Sequence, residues 1–352
     1  MARVGVITFL HNENYGSSLQ AYALQRTIRD MGFDCEHLDY QPDRKEKIKN
    51  LLLSGNSPKL ILEGIRKKSV KAGQQGAKEK SIAIPAFYAR RMKMSSACRN
   101  ARELREQSMG YDALVCGSDQ IWNPVWLNPV YYLNFAPEKT KKIAYAPSLG
   151  IRTMPPAGKI RKIRRWMRGF SAVSVREEEG AKLMEQMTGM RPDVMPDPVC
   201  LLSRKEWEEI AAPGPEGSPY VLCYFIGTNE TYREKVRQIS REEGLRILEI
   251  PVTAEGYRSG FELLEGIGPE AFLGAIRNAA CFCTDSFHGL VFGTILNVRT
   301  EVMRRYREED PESKNSRVDH FQRIIREKGV DALRGEGRAW LRKKLGSEAG
   351  GG

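Results

Sequence analysis

Short, continuously apolar runs alternate along the chain with stretches in which apolar residues recur at three- and four-residue spacing. The runs fall at 4–9, 35–38, 113–116, 143–146, 172–175 and 194–195, then at 220–226, 246–250, 280–284 and 301–303. The wider spacing falls between them, at 17–31, 159–170, 177–188, 204–211, 230–243, 269–278 and 317–328, and a closing stretch spans 332–345. A period near 3.6 buries one stripe of a helix, whereas an unbroken apolar run suits a strand covered on both faces. Their alternation predicts an α/β fold of parallel sheets wrapped by helices.

The clearest interruption is the Ala-Ala-Pro-Gly-Pro-Glu-Gly-Ser stretch at 211–218, after which a second βα series begins. With 352 residues, two domains are expected: 1–205, then 206–345, with a disordered Gly-rich tail at 346–352. Two α/β halves of this kind face a central cleft, the usual place for a ligand.

Apolar residues make up 41% and charged residues 28%, enough for a sizeable core and incompatible with a disordered, collagenous or disulfide-stapled chain. No apolar run approaches the ~18–20 residues of a membrane span. The start runs directly into a strand-like segment without a cleavage site, so a soluble, cytoplasmic protein is expected. The seven cysteines form no C-x-x-C pair and read as isolated buried thiols, so neither redox nor metal chemistry is expected.

The net charge of +12 has one source: 44–105 holds 17 Lys/Arg against 4 Asp/Glu, and the remainder of the chain is near neutral. That segment reads as helices with solvated basic faces, or as a docking surface for the inner face of an anionic membrane or for an acidic or lipid-linked glycan. No recognition motif accompanies the charge, so nucleic acid is not expected as a partner.

Candidate chemistry gathers where strands end. After the first strand, Asn14, Gly16 and Ser17 open a helix, either as cap and turn or as a loop offering N–H groups to an anion. The loop Cys116-Gly117-Ser118-Asp119-Gln120-Ile121-Trp122-Asn123 crowds a carboxylate, a carboxamide and an indole. There Asp119 could accept a hydroxyl proton and Trp122 could stack on a sugar, or the loop could serve turn chemistry alone. Arg176 stands at a strand tip before Glu177, able to fork onto a phosphate or to pair with its neighbour. His288, in Ser286-Phe287-His288-Gly289, sits where an α/β domain presents ligands and suits a general acid, whereas His37 and His320 read as packing or surface. Lys314 and Arg317, flanking Asn315 and Ser316, are further candidate anion ligands.

Taken in order, these motifs, together with Gln20-Ala21-Tyr22-Ala23-Leu24 and Asp197-Pro198, resemble the polysaccharide pyruvyl transferase family over nearly the whole length. The resemblance implies two Rossmann-like domains of the GT-B type, the first on the acceptor side and the second on the donor side. It implies phosphoenolpyruvate as donor, no cofactor, and a sugar hydroxyl pair of a cell-surface or exported glycan precursor as acceptor, joined to pyruvate as a ketal at the cytoplasmic stage of assembly.

By the same resemblance His288 corresponds to the catalytic histidine, Arg176 to the donor-binding arginine, and Lys314 and Arg317 to a second basic cluster. Asp119 is the candidate to orient or deprotonate the acceptor, with Asn14, Gly16, Gln120, Trp122 and Ser286 as further substrate contacts. One departure stands out: several family members carry an arginine where this chain has Ser286. Two rival readings remain: a nucleotide-sugar glycosyltransferase, with Glu265 or Glu270 on the ribose, and a non-catalytic glycan- or membrane-binding protein.

Overall fold

The protein is described from a computed structural model, covering residues 1–54, 77–229, 231–305 and 315–346. Its strands are β1 Arg3–Ile7, β2 Asp34–His37, β3 Ala113–Gly117, β4 Lys141–Tyr145, β5 Phe170–Val175, β6 Asp193–Val194, β7 Tyr220–Tyr224, β8 Arg246–Glu249, β9 Glu262–Leu263, β10 Cys281–Thr284 and β11 Thr300–Val302. They form two parallel sheets, ordered β2-β1-β3-β4-β5-β6 and β11-β10-β7-β8-β9. Register is set by pairs such as Val4 with both Cys35 and Ala113 in the first sheet, and Cys281 with Val221 in the second. The two-residue β9 is the strand that the hydrophobic pattern does not reveal, being too short to show a period.

Each sheet reverses its strand order once, between β1 and β3 in the first and between β7 and β10 in the second. Loops diverge at such points and leave a crevice beyond the carboxyl ends of the strands. Both halves therefore have such a crevice.

The largest apolar cluster joins the halves. Tyr15, Leu19 and Tyr22 of helix Tyr15–Asp30 pack with Phe87, Trp207, Phe272 and Phe292. Tyr15 stacks on Phe272 with centroids 4.5 Å apart, and its hydroxyl donates to the carbonyl of Ile267 at 3.0 Å. Burial of apolar and aromatic surface of this kind favours the association of the two halves.

Two expectations change. Helix Val330–Gly346, grouped by chain order with the second half, returns to the first sheet: Trp340, Leu341 and Leu345 pack with Val4 and Val6, and Trp340 Nε1 donates to Asp193 at 2.7 Å. The basic segment is more than a solvated face. Its helix Ala77–Arg91 buries Ile84, Phe87 and Tyr88 in the joining cluster, and Arg90 and Arg91 grip Glu270 of the second half at 2.5 and 2.9 Å. No helix among the described residues is long and apolar enough to cross a membrane.

Candidate active site

The first sheet's crossover point is held by buried polar side chains. Gln20, on the first helix, donates to Thr8 Oγ1 at 3.0 Å and accepts from the Ser118 N–H at 3.0 Å, tying the β1 loop to the β3 loop. Asn14 caps the helix, its Oδ1 accepting from the N–H groups of Gly16 and Ser17. Ser17 Oγ then donates to Asp119 Oδ2 at 2.5 Å, and the Gln120 N–H donates to Asp119 Oδ1 at 2.8 Å. Asp119 holds a left-handed backbone, φ 63°, uncommon for a residue with a Cβ and frequent where a site fixes a side chain.

Across the interface, Ser286 caps helix Phe287–Ile295 by accepting from Gly289 N–H, which sets His288 in the first turn. The imidazole lies against Gly16, where an added Cβ would stand 2.1 Å from Nδ1. Its Nε2 is 3.4 Å from Asp197 Oδ2, an ion-pair distance beyond hydrogen-bond geometry. The same oxygen accepts from Arg176 Nη1 at 2.6 Å and from Ser118 Oγ at 3.3 Å.

Arg176 also donates through Nε to Glu177 at 2.9 Å and lies over the Phe287 ring, 4.5 Å from its centroid. The remaining nitrogen, Nη2, is buried with no hydrogen-bond partner among the described residues, and so is Nε2 of His288. A cavity of about 220 Å³ adjoins, lined by Arg176, Asp197, Phe287, His320 and Phe321 among others.

Charge dominates this cluster. Burial opposes ionisation of Asp197, yet His288 and Arg176 outweigh it and hold the carboxyl well below the usual range. Burial likewise works against the Arg176 guanidinium, and the surrounding Glu177, Asp197 and Asp119 overcome it and raise its pKa. The fixed elements are thus a permanent cation with one free donor, a permanent carboxylate, and an imidazole between them and a helix N-terminus.

A family model for polysaccharide pyruvyl transferase matches residues 14–302, most of the chain, with Asn14, Asp119, Arg176, Asp197 and His288 inside the match. The chain belongs to the polysaccharide pyruvyl transferase family. No curated protein matches it by sequence. Among solved structures it is similar to UDP-GlcNAc 2-epimerase from Neisseria meningitidis bound to UDP-GlcNAc, at TM-score 0.51 and 9% identity, covering 99% of this chain and 100% of that one. It is similar also to S. aureus MnaA with UDP, at TM-score 0.50 and 9% identity, covering 99% and 97%. At such identity the likeness speaks for the fold, which is GT-B.

Within this family member, Arg176, His288, Gly16, Asn14 and Asp119 converge, through contacts that chain order does not show. Gly16 lies within the first helical turn and takes no left-handed turn; its small size serves contact with His288. At Arg176 the pairing with Glu177 is present, and Nη2 carries a donor not spent on it.

Other candidates fall elsewhere. Trp122 is fully buried, stacked on Tyr132 with centroids 5.1 Å apart and donating to the Tyr131 carbonyl, so it is core and cannot stack on a sugar. Ser286 Oγ accepts the Gly289 N–H at the helix cap and is buried there. Gln120 accepts from Asn123 Nδ2 at 3.2 Å and abuts Gly150, outside the charged cluster. Lys314 lies outside the described residues, as does the side chain of Arg317, in the first turn of helix Asn315–Lys328.

Asp197-Pro198 stands in the sequence with no role attached to Asp197, and Ser17, expected only at the helix opening, instead donates to Asp119 while Asn14 alone supplies the cap. Nor does the sequence reveal a pair at the tips of β1 and β2, where His11 Nε2 meets Asp39 Oδ1 at 2.5 Å. Their carboxylates and hydroxyls gain meaning only from partners distant in sequence. At the second crossover point, Asp285 accepts from the N–H groups of Ile226 and Gly227, both at 2.7 Å, and pairs with Arg305 at 3.0 Å. Among the described residues no three potential metal ligands converge.

Proposed function

We propose that this chain transfers pyruvate from phosphoenolpyruvate to a sugar hydroxyl pair of a glycan precursor, forming a cyclic ketal and releasing phosphate. The observation that carries this reading is the buried Nη2 of Arg176, without a hydrogen-bond partner among the described residues, on a guanidinium that shares the Asp197 carboxylate with His288 Nε2, itself in no hydrogen bond. A buried donor left unpaired costs about 1–3 kcal/mol, a cost that an anionic ligand offsets. A small, highly charged donor suits a site with one free guanidinium nitrogen and an imidazole at ion-pair distance from a carboxylate.

In this reading His288 delivers the proton on Nε2 to C3 of the enol, and cationic character develops at C2. Asp197, kept ionised, stabilises the imidazolium before transfer and orients the ring. One sugar hydroxyl adds to C2 and loses its proton; the C2–O bond to phosphate breaks; the second hydroxyl closes the ketal. Of the two hydroxyl protons, one restores His288 and the other leaves on phosphate. Arg176 Nη2 binds the donor's negative charge throughout. Asp119, oriented by Ser17, receives the acceptor.

The nucleotide-sugar alternative gains less support. At the second crossover point the Ile226 and Gly227 N–H groups, which an incoming phosphate would use, already serve Asp285. Glu270, one of its ribose candidates, is held by Arg90 and Arg91.

Calorimetric titration tests the choice. Wild-type protein and Arg176→Lys are titrated with phosphoenolpyruvate, UDP-sugars and GDP-sugars. Saturable phosphoenolpyruvate binding, weaker by about tenfold or more in the variant, is expected for loss of a charged hydrogen bond. Silence with phosphoenolpyruvate and a clear nucleotide-sugar heat overturns the proposal.

A further inference from the structure

Helix Arg44–Ser54 inverts the usual arrangement of a surface helix. Its Ile48 and Leu52 are 51% and 75% exposed, whereas Glu46 is buried and paired with Lys49. Spacing of three and four residues puts Lys45, Ile48, Lys49 and Leu52 on one stripe. Lys45, Lys47 and Lys49 are all exposed, and Asp43, just before the helix, is engaged by the Glu46 N–H.

The surface continues beyond the helix. It packs against the turn Pro124–Trp126, where Val125 and Trp126 are 41% and 46% exposed. Helix Ala157–Trp166 buttresses both: Lys162 Nζ donates to the Leu53 carbonyl at 2.6 Å and Lys159 Nζ to the Pro124 carbonyl at 2.7 Å. That helix also contains Arg161 and Arg165, both exposed, and no acidic residue, while its Arg164 turns to the Met187 carbonyl.

We infer that this face docks peripherally on an anionic phospholipid bilayer. Exposed Ile, Leu, Val and Trp side chains surrounded by Lys and Arg match an interfacial surface, in which apolar side chains enter the headgroup boundary and cations meet lipid phosphates. An acidic protein partner would pair with the cations but leave less reason for the apolar prongs. The face also adjoins the proposed acceptor side, since Trp126 Nε1 donates to the carbonyl of Gln120, next to Asp119. A bilayer here would present membrane-anchored acceptors to the carboxyl edge of the first sheet. The docking itself goes beyond the transfer chemistry and does not depend on it.

The test is co-flotation of the full chain with vesicles of phosphatidylcholine alone or with 30% phosphatidylglycerol. Comparison proteins are Ile48→Asp/Leu52→Asp, Lys45→Glu/Lys49→Glu, and a control on another surface, Met109→Asp. Binding only to the anionic vesicles is expected, weakening by about tenfold or more in either double variant and at high salt, with the control unchanged. Thermal unfolding of each variant verifies that it is folded. Failure of the wild type to float, or equal flotation of the double variants, overturns the inference. So does a wild-type dimer in sedimentation that Ile48→Asp/Leu52→Asp converts to monomer, because the face would then belong to a second copy. Vesicle binding needs no turnover, so its failure leaves the phosphoenolpyruvate titration to judge the chemistry separately.

Discussion

Gly16 and His288, 272 positions apart in sequence, are in direct contact: a Cβ on Gly16 would fall 2.1 Å from the imidazole Nδ1 and 2.8 Å from the histidine Cβ. The first helix's opening turn in one half thereby forms a wall of the histidine's pocket in the other. Asp197 Oδ2 stands 3.4 Å from the ring's other nitrogen, Nε2. Orientation of His288 is set by both halves together.

Gly16→Ala should therefore disturb the site out of proportion to its size. Overpacking a rigid contact costs about 1–3 kcal/mol, and the ring is the nearest element able to move. Lower thermal stability with strongly reduced turnover is expected. Unchanged turnover in a normally stable variant would show that the ring's position does not matter.

His288→Gln should remove proton delivery while keeping a polar side chain of similar reach. Turnover should fall by a factor of about 100 or more, while phosphoenolpyruvate affinity changes little. Kinetics and calorimetry on the same preparation separate the two effects. Retained turnover would exclude the general-acid role.

Arg176→Ala leaves the buried Asp197 and Glu177 without their shared cation. Breaking a buried pair from one side costs about 3–5 kcal/mol, so this variant should be markedly less stable in urea. The Arg176→Ala/Asp197→Asn double variant should recover part of that loss. Equal stability of single and double variants would mean that the two residues are uncoupled.

Stability should fall on acidification in two stages. Burial lowers the His37 pKa from 6.5 to about 4 while its Nε2 stays bonded to the Ala21 carbonyl, so folding favours the neutral ring. That contribution is complete above 6.5 and declines as pH falls towards 4, by roughly 3 kcal/mol. Asp197, held ionised in the fold, adds a second loss below the ordinary carboxylate range, as pH falls through its depressed value. Urea midpoints between pH 8 and 3 check this, and His37→Gln should flatten the first stage.

The two indoles of the 117–126 region should separate cleanly. Trp122→Ala removes a fully buried ring and should cost about 3–5 kcal/mol. Trp126→Ala removes a half-exposed ring and should leave stability within about 1 kcal/mol of wild type while weakening vesicle binding. Chemical denaturation of both variants distinguishes core from surface.

The α/β alternation, the chain positions of nearly all the strands and the strand-end placement of Asp119, Arg176 and His288 are legible in the chain before it folds. These are local properties: apolar runs, helical periods and caps depend on neighbours a few residues away. Its motifs also carried the family resemblance. Only the tertiary structure decided that Trp122 is core, that the closing helix belongs to the first sheet, and that Gly16 is required for closeness rather than for a turn. It alone brought Asp197 from an unassigned motif to the carboxylate shared by Arg176 and His288. Those outcomes depend on which apolar faces meet when two sheets pack together, and contacts between residues hundreds of positions apart leave no period or spacing in the chain.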